Sequence, residues 1–347
     1  MTTRQLAGLL LSLAVVSTTP APLTAGRPPT RWILAYAGTQ KGGIGTLYTV
    51  DDFVHMLGVV DSAGQASSWL CTGVIFLHLY APSGRTFTTW IGGTPASGAD
   101  WEEYLDSIAG PAGALRRLDS AVAVVEARAG RLGDKLPVAL MIPYPEPKVD
   151  SVVFQGTTYS MRSPDGRAGA VGGYARAATA LFEQSRFSHL RLEGFYWLAE
   201  NVGAIDTATV VRSAAQVHKI KKRLLWIPYY FALGQDRWRQ LGFDEAWLQP
   251  NYFFDVKVPR DRLDSAARHA QREDLGIEIE FNAKLLTDSL HSERLEPYLD
   301  MLMAVPALRR RSLALYDGQG ALLRLSRATT PAERALYARL VRVLTPP

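Results

Sequence analysis

"HLRLEGFYWLAENVGAIDTATVVRSAAQVHKIKKRLLWIPYY", residues 189–230, contains a strand, a helix and a second strand in succession. Its first run, 189–198, is aliphatic and aromatic. Val210, Val211, Ala214 and Val217 then recur at helical spacing, and "RLLWIPYY" (223–230) is again short and apolar. The basic cluster "KIKKR" (219–223) falls where the helix would end, and cations there complement the helix dipole. Near-continuous apolar strands joined through a helix predict parallel pairing, with helices covering the sheet.

The same unit repeats outward in both directions. Strand-like runs occupy 31–38, 69–80, 136–145, 189–198, 223–230, 245–254, 276–281 and 312–318, eight in all. Helical spacing links them, as in Leu115, Leu118, Val122 and Val125, or Leu263, Ala266, Ala267 and Ala270; only the stretch after the fifth run, "DRWRQLGF", is short. This alternation predicts an α/β fold, a single (β/α)8 TIM barrel, in preference to a doubly wound open sheet, which gives no reason to stop at eight. Segments from helix to strand are short, whereas those from strand to helix are long, notably 81–100 and 146–172. In a barrel the long segments share the C-terminal face, where such folds build their sites.

Residues 1–26 carry Arg4, an apolar run from Leu6 to Val16 and small residues at Ala21, Ala25 and Gly26, the layout of a secretory signal peptide. The apolar run is shorter than the roughly 20 residues a membrane helix needs. The expected organisation is a signal peptide over 1–26 and one barrel domain over 27–347, exported, with no membrane span after cleavage. Cys71 is the only cysteine, so no intramolecular disulfide can form, and its apolar setting reads as a small buried hydrophobe. Net charge is +5, but the basic residues are dispersed instead of interleaved with aromatics on one face, which argues against nucleic acid as a partner.

Alternation along "GIEIEF" (276–281) sets Ile277, Ile279 and Phe281 against the helices and turns Glu278 and Glu280 inward, with Glu280 nearer the mouth and Glu278 a layer deeper. On the fourth strand the same rule groups Arg191, Glu193, Phe195 and Trp197; Glu200 lies just past it. Other strand ends supply Tyr36 and Gln40, His78, Tyr144, Tyr229 and Tyr230, Gln249, Asn251 and Tyr252, then Tyr316 and Asp317, with Trp90, Trp101 and Trp197 extending the aromatic surface. Rings beside amide and acid groups suit sugars, which stack C–H faces on aromatics while their hydroxyls need partners. Two carboxylates across one mouth are the minimum apparatus for cleaving a glycosidic bond, one protonating the leaving oxygen and the other attacking or activating water. The expected pair is Glu200 and Glu280, acting on a polysaccharide or cell-surface glycan without cofactor. The alternative is a non-catalytic carbohydrate-binding or cell-envelope protein on the same scaffold.

At "GFYWLAE", "WIPYY", "QPNY" and "IEIEF" the chain resembles the bacterial domain-of-unknown-function family DUF4855, often found in exported proteins, from "YAGTQ" to "LYARLV". More distantly, the acids after the fourth and seventh strands are similar to those of the large retaining glycosidase clan built on this barrel. That likeness implies Glu200 as acid/base and Glu280 as nucleophile. The chain departs from the clan at Ala199, where an Asn is usual.

Other signals lead nowhere. "GGIG" (42–45) lacks the rest of a dinucleotide or P-loop motif, the six histidines are scattered without H-E-x-x-H, and no G-x-S-x-G occurs. No metal site is expected.

Overall fold

The structure is a computed structural model, and it describes residues 29–37, 48–61, 64–88 and 90–345. The segment read as a signal peptide and Gln40 lie outside the described residues.

Eight parallel strands close into a barrel: β1 (Arg31–Tyr36), β2 (Gly73–Leu77), β3 (Leu136–Ile142), β4 (Leu190–Trp197), β5 (Arg223–Trp226), β6 (Glu245–Leu248), β7 (Gly276–Asn282) and β8 (Leu313–Gly318). Each pairs with the next, and β1 pairs with both β2 and β8, so no edge is left open; Leu34, for example, sits opposite Ile75 on one side and Tyr316 on the other. This is the (β/α)8 architecture that the alternation predicts.

Helices fill the connections, and local chemistry sets their starts. Thr49 with Asp52 and Ser97 with Asp100 form reciprocal caps for the helices Val50–Leu57 and Gly98–Ala109. The long helix Pro164–Ser185 begins with a Ser163 cap and Pro164 in its first turn. The segment after β5 holds only a single 3-10 turn, Gln235–Arg237, as its short apolar pattern implied.

Two small hairpins were not legible as such. Gly58–Val60 pairs with Ala66–Trp69, which removes the front of the run 69–80 from the barrel, and Ser151–Phe154 pairs with Thr157–Ser160 inside the long connection after β3. Alternating exposed and buried side chains along Ser151–Phe154 show why it is ordered: Phe154 packs against Trp101 and Tyr174. Trp101 is therefore fully buried core and extends no ligand surface.

The floor of the barrel is plugged. Trp32 and Trp247 meet edge to face at 6.1 Å between centroids, and the Trp247 indole donates to Ser312 Oγ at 3.1 Å. Glycine is required beside them, since a Cβ at Gly73 would enter the Trp32 ring and one at Gly276 the Trp247 ring. Arg31, also buried, donates to the carbonyls of Leu344 (2.8 Å), Arg311 (2.6 Å) and Arg309 (2.7 Å), tying the first strand to the C-terminal helix Pro331–Leu344. Cys71 is buried, and burial pushes its thiol well above the ordinary range. Among the described residues no helix is long and apolar enough to cross a membrane.

Candidate active site

Above the tryptophan plug, at the C-terminal ends of the strands, lies a cavity of about 350 Å3. Its wall follows the period-two alternation of the strands: Leu34 and Tyr36 from β1, Leu77 and Leu79 from β2 and its extension, Tyr196, Leu198 and Glu200 from β4 and its extension, Ile227 and Gln249 from just past β5 and β6, and Glu278 and Tyr316 from β7 and β8. Trp90 and Phe254 complete the rim, and both are exposed.

Glu200 lines the cavity because the strand's alternation continues past Trp197. That phase differs from the one expected for β4. A bulge between β3 and β4 opposes Val138 to Leu192 and Ala139 to Gly194, leaving Glu193 as the extra residue and inverting the faces beyond it. Gly194 is needed there, because a Cβ would collide with the Arg223 carbonyl of β5. Phe195 consequently packs outward on Tyr174, and Trp197 meets Tyr144 outside the cavity. Arg191 and Glu193 pair with each other below, and Arg223 joins them.

Two carboxyl groups, Glu200 and Glu278, line the cavity, and a third, Glu280, is buried nearby. Burial raises Glu200 to about 7, with the nearby charge of Glu280 adding to it. Glu278 is raised further by burial, then by Glu280 and Glu200. Glu280 is also raised by burial, but it alone has donors: the Tyr298 hydroxyl at 2.8 Å and the Asn251 amide at 2.7 Å, both to Oε2, with the Gln249 side chain helping. Donors favour the ionised form, so Glu280 is the member of this buried pair that carries the charge, and Glu278 holds the proton.

The expected depth order of these two is reversed at the wall. Glu278 reaches the cavity, while Glu280 is fully buried, its carboxyl drawn sideways to Asn251 and Tyr298. Asn251 has φ 51°, and its side-chain oxygen accepts from the Tyr230 amide at 2.8 Å, so the turn after β6 is fastened while its own amide points at Glu280.

The remaining expected residues serve elsewhere. His78 packs between Phe87 and Tyr104. Tyr144 donates to Asp206 at 2.9 Å, beside a buried Arg167–Asp206 ion pair of 2.5 Å. The Tyr229 amide donates to the Glu200 carbonyl at 3.3 Å, and Tyr230 lies under the Arg262 guanidinium. Tyr252 is buried beneath Arg294. Asp317 alternates outward from Tyr316 and accepts from the Leu322 amide at 2.8 Å, capping a short helix. Sequence reasoning missed Tyr196, hidden by the bulge, Tyr298, which sits on a helix, and Phe254, at the end of an apolar run.

A larger groove of about 840 Å3 lies away from the carboxylates, lined in part by Tyr252, Arg260, Arg294 and Asp300. Its cations are already engaged: Arg260 pairs with Asp300 at 2.9 Å, and Arg294 donates to backbone carbonyls, including Asp255 at 2.9 Å. Perturbed acids mark the smaller cavity instead.

Residues 31–342 match the family described as "Domain of unknown function (DUF4855)". The chain belongs to this family. No curated protein matches the DUF4855 chain by sequence. Among solved structures it is similar to a GH18 chitinase from Pseudoalteromonas aurantia (10% identity, 89% of this chain and 100% of that one, TM-score 0.47) and to a GH113 beta-1,4-mannanase (13% identity, 91% and 99%, TM-score 0.43). It is also similar to a Rhizobium etli pyruvate carboxylase (9% identity, 91% and 27%, TM-score 0.40). Likenesses this distant assign no activity, and the barrel rests on its own strand pairing.

Proposed function

We propose that this DUF4855 protein hydrolyses glycosidic bonds in a polysaccharide or cell-surface glycan. The observation that carries the reading is that Glu200, from the end of β4, and Glu278, from β7, line one cavity, with the neighbouring Glu280 raising the proton affinity of both. With a pKa of about 7, Glu200 is protonated often enough near neutrality to give its proton to the leaving oxygen. Glu280, which burial raises to about 7 against the pull of Tyr298 and Asn251, in its ionised form attacks the anomeric carbon or takes a proton from the water that does so. In the first case water later cleaves the glycosyl ester; in the second, product forms in one displacement. Trp90, Phe254 and Tyr316 offer ring faces to the sugar.

The full burial of Glu280 favours a second reading, a carbohydrate-binding protein that does not cleave. Incubating the protein with a glycan panel, and measuring both binding heat and new reducing ends, separates the two. New reducing ends support hydrolysis, whereas binding without cleavage supports the second reading. Export, in either case, rests on the signal-peptide layout of residues 1–26.

A further inference from the structure

Apart from tyrosines, the ionisable groups that line the cavity are, among the described residues, all acids. Glu200 and Glu278 line it and Glu280 is near enough to raise the proton affinity of both, yet no Lys, Arg or His among the described residues contributes to the wall. Buried charges ordinarily come paired. Elsewhere in this chain they do: Arg167 with Asp206, and Arg31 with three carbonyls.

Two acceptors are left open. Glu278 is 1% exposed, belongs to the cavity wall, and has no hydrogen-bonding or ionic partner among the described residues. Glu280, 0% exposed, uses Oε2 for both donors and leaves Oε1 without a hydrogen bond of ordinary geometry. The adjoining wall is aromatic: Tyr316, in register with Glu280 on the neighbouring strand, makes edge contacts with Tyr36 at 5.7 Å and Phe254 at 5.5 Å, and Trp90 belongs to the rim. Rings beside buried acids that lack donors form an environment for a cation that also donates hydrogen bonds.

We infer that the sugar unit entering this cavity carries a protonated amine, so that the substrate class is a hexosamine polymer with free amino groups. The ammonium supplies the donor that Glu278 lacks at the wall, and its positive charge offsets the negative charge shared by these acids. An N-acetylated or neutral unit can donate an amide or hydroxyl proton but brings no positive charge to these acids. Uronic acids meet charge of their own sign.

This inference rests on the glycosidase reading, and the two can fail separately. The probes are glucosamine and galactosamine oligosaccharides, their N-acetylated counterparts of equal length, and neutral hexose oligosaccharides. Binding to Glu200→Gln protein is followed by calorimetry, and cleavage by wild-type protein by mass spectrometry. Free-amine oligomers are expected to bind at least about tenfold more tightly than the acetylated and neutral ones, and Glu278→Gln, checked for folding, should narrow that ratio several-fold. Equal or tighter binding of acetylated or neutral oligomers overturns the inference, as does an amine preference unchanged by Glu278→Gln and by a milder Glu278→Asp variant. Selective binding of free-amine oligomers with no cleavage overturns the hydrolase reading alone.

Discussion

Tyr298 donates its hydroxyl to Glu280 Oε2 at 2.8 Å, from a helix outside the barrel to a strand inside it. This bond distinguishes Glu280 from Glu278, which has two carboxyl neighbours and no donor. Removing the hydroxyl in Tyr298→Phe should raise the Glu280 pKa. Because Glu280 must be ionised, the acidic limb of the pH–rate profile should move to higher pH, and activity on the acidic side should fall roughly 10- to 100-fold, the worth of a hydrogen bond to a charged group. A profile unchanged in shape would remove Tyr298 from this role.

Glu200 sets the opposite limb. With a pKa of about 7, it loses its proton as pH rises through neutrality, so activity on substrates with poor leaving groups should decline above about pH 7. A substrate whose leaving group needs no protonation should not show that decline. Comparing pH–rate profiles for the two substrate types provides the check.

Glu278→Gln should stabilise the fold. In the unfolded chain Glu278 ionises near its ordinary 4.5, whereas in the native state it keeps its proton to higher pH. The native state thus binds more protons in that interval, and stability falls as pH rises above 4.5. The amide escapes this loss, so the variant should gain stability at pH 7 and almost nothing at pH 4, as read by denaturant unfolding at both pH values.

Arg167→Ala should cost about 3 to 5 kcal/mol, because it leaves Asp206 buried without its partner. The pair lies outside the cavity, bonded to Tyr144 and the Pro145 carbonyl, so variant protein that still folds should retain its ligand preference. Urea titration and binding measurements together test this.

Much of the architecture was readable because each strand is short, apolar and followed by a helix-spaced stretch, and Glu200, Glu278, Gln249, Tyr36 and Tyr316 sit where strand ends must converge. What escaped depends on contacts distant in sequence. One extra residue at Glu193 inverts the faces of β4, replacing Trp197 with Tyr196 at the cavity, and nothing in "RLEGFYW" apart from its glycine marks the bulge. Glu280 was displaced from the wall by partners 29 and 18 residues away in sequence, Asn251 and Tyr298, and alternation cannot register such a pull. His78, Tyr144 and Asp317 lie at strand ends as expected, but their side chains turn toward helices and caps.

The most direct test of the account is the rate at which Glu200→Gln protein releases reducing ends from a glycan that the wild type cleaves, measured at one pH below neutrality. Losing the proton donor while keeping the shape should lower that rate by about three orders of magnitude or more, with unfolding behaviour preserved. A Glu200→Gln protein as fast as the wild type would contradict it.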